Sequence, residues 1–328
     1  MPKAKTETML SRSTLIGLLM LALACGDGDR SVERIIIPEG SGLNAVSDSL
    51  VAHGVISWPR LFRLYARFKG ADSKLKAGTY DLRRGTGWSE ALRALVEGRV
   101  VTIAVTIPEG WTIAQIADRI SPIIGSSADT IARRLLSTAL SDSLRSPGPT
   151  LEGYLFPETY RFAQGVPTER VAAELLDRYR AVWTPERRAA RDSIGMDERE
   201  IVTLASIIQA EARWEDEMPL ISAVFHNRLL RPMRLQADPT VQYVLESRQS
   251  RLLFAHIDSM ADNPYNTYTH DGLPPGPIGA PGLAAIDAAL HPVPVPYLYF
   301  VAKEDGHHEF SRTLREHNRA IQRIRRGN

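Results

Sequence analysis

Ile201-Val-Thr-Leu-Ala-Ser-Ile-Ile-Gln-Ala-Glu211-Ala-Arg213 places an acid on an apolar stripe. Ile208, Ile207 and Leu204 precede Glu211 by three, four and seven residues, and Trp214 and Met218 follow it by three and seven. That is the spacing of one face of an α-helix, and Gln209 and Arg213 fall off it. An ionisable group is thus set where burial opposes its charge, which raises a carboxylate pKa. A carboxyl still protonated at working pH can donate a proton. Two readings fit this helix alone: a general acid, or a core glutamate satisfied by an arginine such as Arg228.

Outward from this helix, the text beyond about residue 150 is mostly helical, with helices expected near 167–185, 198–213, 215–230 and 281–290. A strand near Tyr297 to Ala302 and a basic helix from Ser311 end the chain. Between them run Met233-Arg-Leu235-Gln236-Ala-Asp238-Pro239-Thr240 and Asn263-Pro-Tyr265-Asn266-Thr-Tyr268. Asp238 before Pro239 reads as an ordinary helix start. Gln236, Asp238, Thr240, Tyr265, Asn266 and Tyr268 are the candidate substrate-binding residues, because amides, hydroxyls and aromatic faces suit the hydroxyls and ring faces of a sugar chain; a polar surface loop is the alternative. The Pro- and Gly-rich segment Asp262 to Gly279 is long for a connection inside a compact domain, and such loops are usually functional.

The Ser, Pro and Gly cluster from Ser141 to Thr150 reads as a domain boundary. Before it, the chain repeats its own beginning: Ile37-Pro38-Glu39-Gly40 returns as Ile107-Pro108-Glu109-Gly110. Leu43, Val46, Asp48 and Leu50 match Ile113, Ile116, Asp118 and Ile120 at the same offset. Each copy reads as strand, turn and amphipathic helix, with a helix from Trp58 to Phe68, a strand near Thr79 to Leu82 and a helix from Ser89 to Val96 between them. The expected result is a small α+β module over 34–140. Gly40 to Ala45 spells part of a dinucleotide fingerprint, but the second copy has Trp111 and Thr112 where glycine is required, so that function is excluded.

Composition narrows the rest. With 40 Lys and Arg against 38 Asp and Glu, no overall field gathers nucleic acid, and the C-terminal arginines read as a solvated helix face. Basic residues precede an apolar run from Leu15 to Ala24 that is too short to cross a bilayer and suits a secretory signal. Small residues before Cys25, the only cysteine, point to lipid attachment there; an uncleaved N-terminal anchor is the alternative. No disulfide is then possible. His308-Glu309 lacks the second histidine of a zincin helix, the eight histidines show no ligand spacing, and Ser73 to Lys76 has no Lys-Thr-Gly partner. Neither a metal nor another cofactor is expected.

Several ordered motifs together resemble the MltG (YceG-like) family of endolytic murein transglycosylases. They are Ala205-Ser-Ile-Ile208 to Glu211, Leu235-Gln-Ala-Asp-Pro-Thr-Val241, Pro264-Tyr-Asn-Thr-Tyr268 through Ile278, and Glu152-Gly-Tyr-Leu-Phe-Pro-Glu-Thr-Tyr160. Lys76-Ala-Gly-Thr-Tyr80 falls in the family's LysM-like module. The resemblance implies an α+β fold in which a LysM-like module over 34–140 precedes a mainly helical catalytic domain over 150–328. It also implies that Glu211 is the essential acid, and Gln209 stands where many relatives have a second glutamate. The implied substrate is the peptidoglycan glycan strand, cleaved with 1,6-anhydro ring closure to terminate strand elongation. Synthases are possible partners, and the enzyme would be anchored to the membrane by residues 1–25 with its catalytic domain outside the cytoplasm, on the periplasmic face of the inner membrane. Where the family usually has a membrane-spanning helix, this N-terminal run is short.

Two rival functions remain. A muramidase-type hydrolase would need a second carboxylate, for which Asp238 and Glu158 are available. A non-enzymatic wall-binding protein would explain the module over 34–120 and leave Glu211 without a purpose.

Overall fold

The computed structural model describes residues 31–245, 247 and 249–327, so Cys25 and the apolar run before it lie outside the described residues. The chain forms two compact units that meet between Thr102 and Ile103.

In the first unit, strand β1 (Val32–Ile37) pairs antiparallel with β2 (Gly78–Arg83), Val32 facing Arg83 and Ile37 facing Gly78. Period-two alternation turns Ile35 and Ile37 inward and leaves Ile36 in solvent. Helices α1 (Leu43–Ala52), α2 (Pro59–Phe68) and α3 (Trp88–Glu97) complete the unit. They close over a core that includes Leu50, Phe62, Tyr80 and Leu95.

The second unit begins with β3 (Thr102–Thr106), which pairs with β4 (Thr159–Ala163). Between these strands lie α4 (Ile113–Ile124), α5 (Ala128–Leu135) and α6 (Thr138–Ser143). Then follow α7 (Thr168–Val182), α8 (Pro185–Ile194), α9 (Glu198–Glu211), α10 (Met218–Leu229), α11 (Asp238–Val244), α12 (Phe254–Ser259) and α13 (Leu283–Leu290). A hairpin of β5 (Tyr299–Ala302) and β6 (His308–Ser311) leads into α14 (Leu314–Arg326). The fold class is α+β, mostly helical with three two-stranded sheets among the described residues. No helix among them is long and apolar enough to cross a membrane.

The first copy of the internal repeat thus lies in the first unit, while the second supplies β3 and α4 of the second. The turn of that second copy is clamped by the long loop. A Cβ on Gly279 would stand 2.6 Å from the Gly110 carbonyl oxygen, so only glycine allows the two backbones to approach, and Gly110 N–H donates to Ala280 O at 2.7 Å.

Helix α9 sits at the centre, packed on α10, α11 and α13. A capping box starts it: Asp197 accepts the Glu200 N–H at 2.8 Å, and Glu200 accepts that of Asp197 at 2.8 Å. From Ile201 to Ile208 every side chain is buried. The buried hydroxyls are spent on backbone, Thr203 on Arg199 O at 2.7 Å and Ser206 on Thr203 O at 2.7 Å. The helix ends at Glu211, two residues short of the sequence expectation, because Ala212 turns into extended backbone at ψ 128°. Trp214 and Met218 therefore belong to the elements that follow, and the apolar stripe under Glu211 consists of Leu204, Ile207 and Ile208.

Candidate active site

Glu211 is the last residue of α9, partly exposed at the wall of a cavity of about 330 Å³. Arg228 of α10, Gln236, Asp238 of α11, Tyr268, and Tyr299, Phe300, His308 and His317 from the C-terminal hairpin and α14 line the rest. Burial, with the Asp238 charge adding to it and Arg228 opposing it, pushes the Glu211 carboxyl up to about 8. Among the described residues none hydrogen-bonds that carboxyl. It keeps its proton at neutral pH and presents it to an open space.

The surrounding groups are fixed by bonds to backbone and by contacts with one another. Arg228 donates to Leu298 O at 2.7 Å and to Leu235 O at 2.5 Å, and its guanidinium lies over the Tyr299 ring, 5.4 Å from the centroid. It is therefore a cation spent on carbonyls and a ring, with no ion pair to Glu211. Gln236 is held in the left-handed region at φ 49°, its N–H on Thr267 O at 3.0 Å. For a non-glycine residue that costs about 1–2 kcal/mol, and such strain collects at functional sites. The Tyr268 hydroxyl donates to the Asp238 carboxylate. His308 is steered by Glu217, which accepts its backbone N–H at 2.9 Å and meets its ring Nδ1 at 2.9 Å. His317 stacks on Tyr299 at 5.3 Å, and its buried Nδ1 has no hydrogen-bond partner among the described residues.

A sequence profile of the YceG-like family matches residues 35–323. The chain belongs to the YceG-like family. It is 33% identical over 310 residues to an endolytic murein transglycosylase of Bacillus subtilis strain 168, covering 89% of this chain and 84% of that protein. It is 29% identical to the endolytic murein transglycosylase of Streptococcus pneumoniae D39, across 87% of this chain and 57% of that longer protein. A crystal structure of a YceG-like protein from Listeria monocytogenes, 32% identical, matches with a TM-score of 0.62 over 89% of this chain and 99% of that one.

Of the residues that the YceG-like sequence singles out, the structure gathers Glu211, Gln236, Asp238 and Tyr268 around one cavity. Thr240 and Asn266 stand behind it. The Thr240 hydroxyl is fully buried on Ala237 O and the Thr267 hydroxyl, and the Asn266 amide is buried on Ile257 O and Met260 O while its carbonyl takes the Tyr268 N–H. They shape the loop that presents Gln236 and Tyr268. Tyr265 packs on Tyr243, ring centroids 5.1 Å apart, away from Glu211. Glu158 pairs with Arg178 on the surface.

Sequence reading missed Tyr299, Phe300, His308 and His317 as cavity residues. Their signal is faint: the strand that carries His308 is only four residues long and does not alternate. A larger hollow of about 600 Å³ opens at the other end of α9, lined by Asp197, Glu200, Leu230 and Pro274. Its lining runs along α9 from Asp197 to Thr203, about 12–21 Å from Glu211 by the helix rise, and its carboxylates are engaged in the capping box.

Proposed function

We propose that the chain is an envelope lytic transglycosylase that cuts the β-1,4 bond between N-acetylmuramic acid and N-acetylglucosamine within murein strands. One observation carries this reading: a carboxyl that stays protonated to about pH 8 opens, unbonded, on a cavity of amides, hydroxyls and aromatic faces in a chain of the YceG-like family. Glu211 gives its proton to the glycosidic O4 as the C1–O4 bond breaks. The resulting carboxylate takes the proton of the muramic C6 hydroxyl while the C6 oxygen bonds to C1. The proton count closes on one carboxyl, no water enters, and the product ends in a 1,6-anhydro sugar. Burial and, after it, the charge of Asp238 keep Glu211 protonated, and Asp238, held by Tyr268, faces the positive charge that develops at C1. Gln236, His308 and His317 supply hydrogen bonds to sugar, and Tyr299 and Phe300 supply ring faces.

In this reading residues 34–140 are a LysM-like glycan-gripping module that includes most of the first unit, and Cys25 or the apolar run before it holds the enzyme at the membrane with the cavity outside the cytoplasm. Endolytic cutting there would terminate strands as synthases extend them.

A second reading has a specific observation behind it. Asp238 lines the same cavity as Glu211, so a paired-carboxylate muramidase could be built from this site. Digestion of uncrosslinked glycan strands followed by mass spectrometry separates the two by one water. Anhydro ends are expected; reducing ends would overturn the transglycosylase reading and make Asp238 the partner.

A further inference from the structure

Helix α2 is apolar on two sides. Phe62 and Ala66 enter the core of the first unit, as an amphipathic helix requires. Leu61, Leu64 and Phe68, at i, i+3 and i+7, form a second stripe that faces solvent, 51%, 66% and 86% exposed. Trp58, one turn ahead of Leu61, is 71% exposed and held in the left-handed region at φ 62°, where a bulky side chain is rarely found. Single exposed apolar residues are ordinary, but four large ones at consecutive turns of one short helix form a patch that marks an interaction surface.

The charges beside the stripe say what kind of surface it meets. From Ser49 to Ala71 there is no acidic residue, while Arg60, Arg63, Arg67 and Lys69 all lie there. Arg63 reaches back to Asp48 at 3.1 Å; Arg60 and Arg67 flank the stripe. The near-neutral total hides an asymmetry: residues 31–102 hold eleven Lys and Arg against seven Asp and Glu, and residues 103–328 hold 25 against 28. Leucine and phenylalanine with a tryptophan at one end and arginines along one flank are the composition of a helix that lies in a bilayer interface. Only residues 26–31 separate Cys25 from β1, a reach of about 20 Å at full extension.

We propose that α2 is an interfacial helix, which lays the first unit on an anionic bilayer with Trp58, Leu61, Leu64 and Phe68 among the headgroups and Arg60 and Arg67 on lipid phosphates. The proposal rests on the reading that residues 1–25 bring the chain to a membrane. It adds that the first unit is then docked on the bilayer as well as tethered to it.

The test uses full-length protein in phosphatidylcholine vesicles with or without phosphatidylglycerol, some lipids carrying bromine high on the acyl chain. Trp58 emission is read as the difference between the wild type and Trp58→Phe. In phosphatidylglycerol vesicles that emission should shift to the blue and be quenched. Both effects should be lost in a Leu61→Ser, Leu64→Ser, Phe68→Ser variant, whose substitutions are all on the surface; unchanged circular dichroism and unchanged cleavage of soluble glycan strands would show that it folds. Vesicle-bound protein with unquenched Trp58 would overturn docking and leave the tether standing. Failure to bind vesicles at all would overturn both. A Trp58 response to glycan strands and none to lipid would make the stripe a sugar surface and overturn the proposal, as would loss of soluble-strand cleavage in the folded variant.

Discussion

Burial raises the carboxyl pKa of two glutamates of the second unit, and only one of them faces a space in which to use a proton. Burial pushes Glu152 up to about 7 and Glu211 up to about 8. Glu152 accepts the Ile113 N–H at 3.1 Å and the Tyr243 hydroxyl at 3.2 Å, so its oxygens are spent on fixing the start of α4 and the end of α11. Among the described residues nothing bonds the Glu211 carboxyl, and its cavity is large enough for part of a ligand. A raised pKa alone therefore does not mark a catalytic acid; a raised pKa on an unbonded carboxyl with access does.

Glu211→Gln should break this contrast most deeply. The amide keeps the shape and removes the transferable proton, so turnover should fall by about a hundredfold to ten-thousandfold or more. The same change should stabilise the fold at alkaline pH. The unfolded chain sheds this proton near pH 4.5 and the folded chain near 8, so the wild type loses stability as pH rises through that window, on the order of 5 kcal/mol by its end. A variant that cannot titrate escapes that loss. Cleavage assays beside thermal melts at pH 5 and pH 8 check both arms; a folded variant with most of its turnover would remove Glu211 from the mechanism.

Asp238→Asn should act through Glu211. The Asp238 charge raises the Glu211 pKa, so its removal should move the alkaline limb of the pH–rate profile to lower pH, by less than burial contributes, since burial is the larger cause. Turnover should drop by about tenfold to a hundredfold, from the lost electrostatic stabilisation of the sugar cation. An unmoved alkaline limb would mean that Asp238 does not sense Glu211. A switch in product from reducing ends to none would instead favour the paired-carboxylate reading.

Much of this was legible in sequence because it is local. The period of α9, the Pro-Gly turns of the repeat, and α2, β2 and α3 at nearly their observed bounds all follow from spacing within a dozen residues. What depends on distant partners was not legible. The strand β4 exists because β3 lies beside it, and α5, α6 and α8 are short helices without a long apolar stripe of their own. At the site, Gln236, Asp238 and Tyr268 come from polar blocks whose composition drew attention. Thr240 and Asn266 drew the same attention, yet their polar atoms are consumed by backbone, a difference that only three-dimensional hydrogen bonding reveals. Tyr299 and His317 arrive from beyond residue 297, where the spacing around Glu211 carries no information.

Glu152→Ala tests the other half of the contrast. It leaves the Ile113 N–H and the Tyr243 hydroxyl buried without a partner, which should cost about 2–4 kcal/mol of stability. Turnover per folded molecule should stay within about tenfold of wild type, because the residue holds elements together and does not line the cavity around Glu211. Loss of turnover as deep as that of Glu211→Gln, in protein shown to be folded, would erase the distinction between the two acids.

The smallest effect is expected at Gln209, two residues before Glu211 on the same helix. Its Oε1 accepts the Gly282 N–H at 2.9 Å, and it also acts on Glu109, whose carboxyl is raised by burial and by the Glu215 charge and lowered in part by Gln209. The Glu109 carboxyl occupies the place where a Cβ on Gly282 would be, so Gln209 closes a packed junction between the second repeat copy and the start of α13. Gln209→Ala removes one acceptor from a half-buried N–H, worth about 1 kcal/mol, or about 2–4 °C in a domain of this size. The Glu109 pKa should rise further. The cavity around Glu211 is untouched, so turnover should change by no more than about threefold, within the range of a small positional shift. Kinetics on soluble glycan strands beside a thermal melt would check this. If Gln209→Ala silenced the enzyme while leaving it folded, the chemistry would need two groups on α9, and the reading in which one carboxyl both gives and takes the proton would fail.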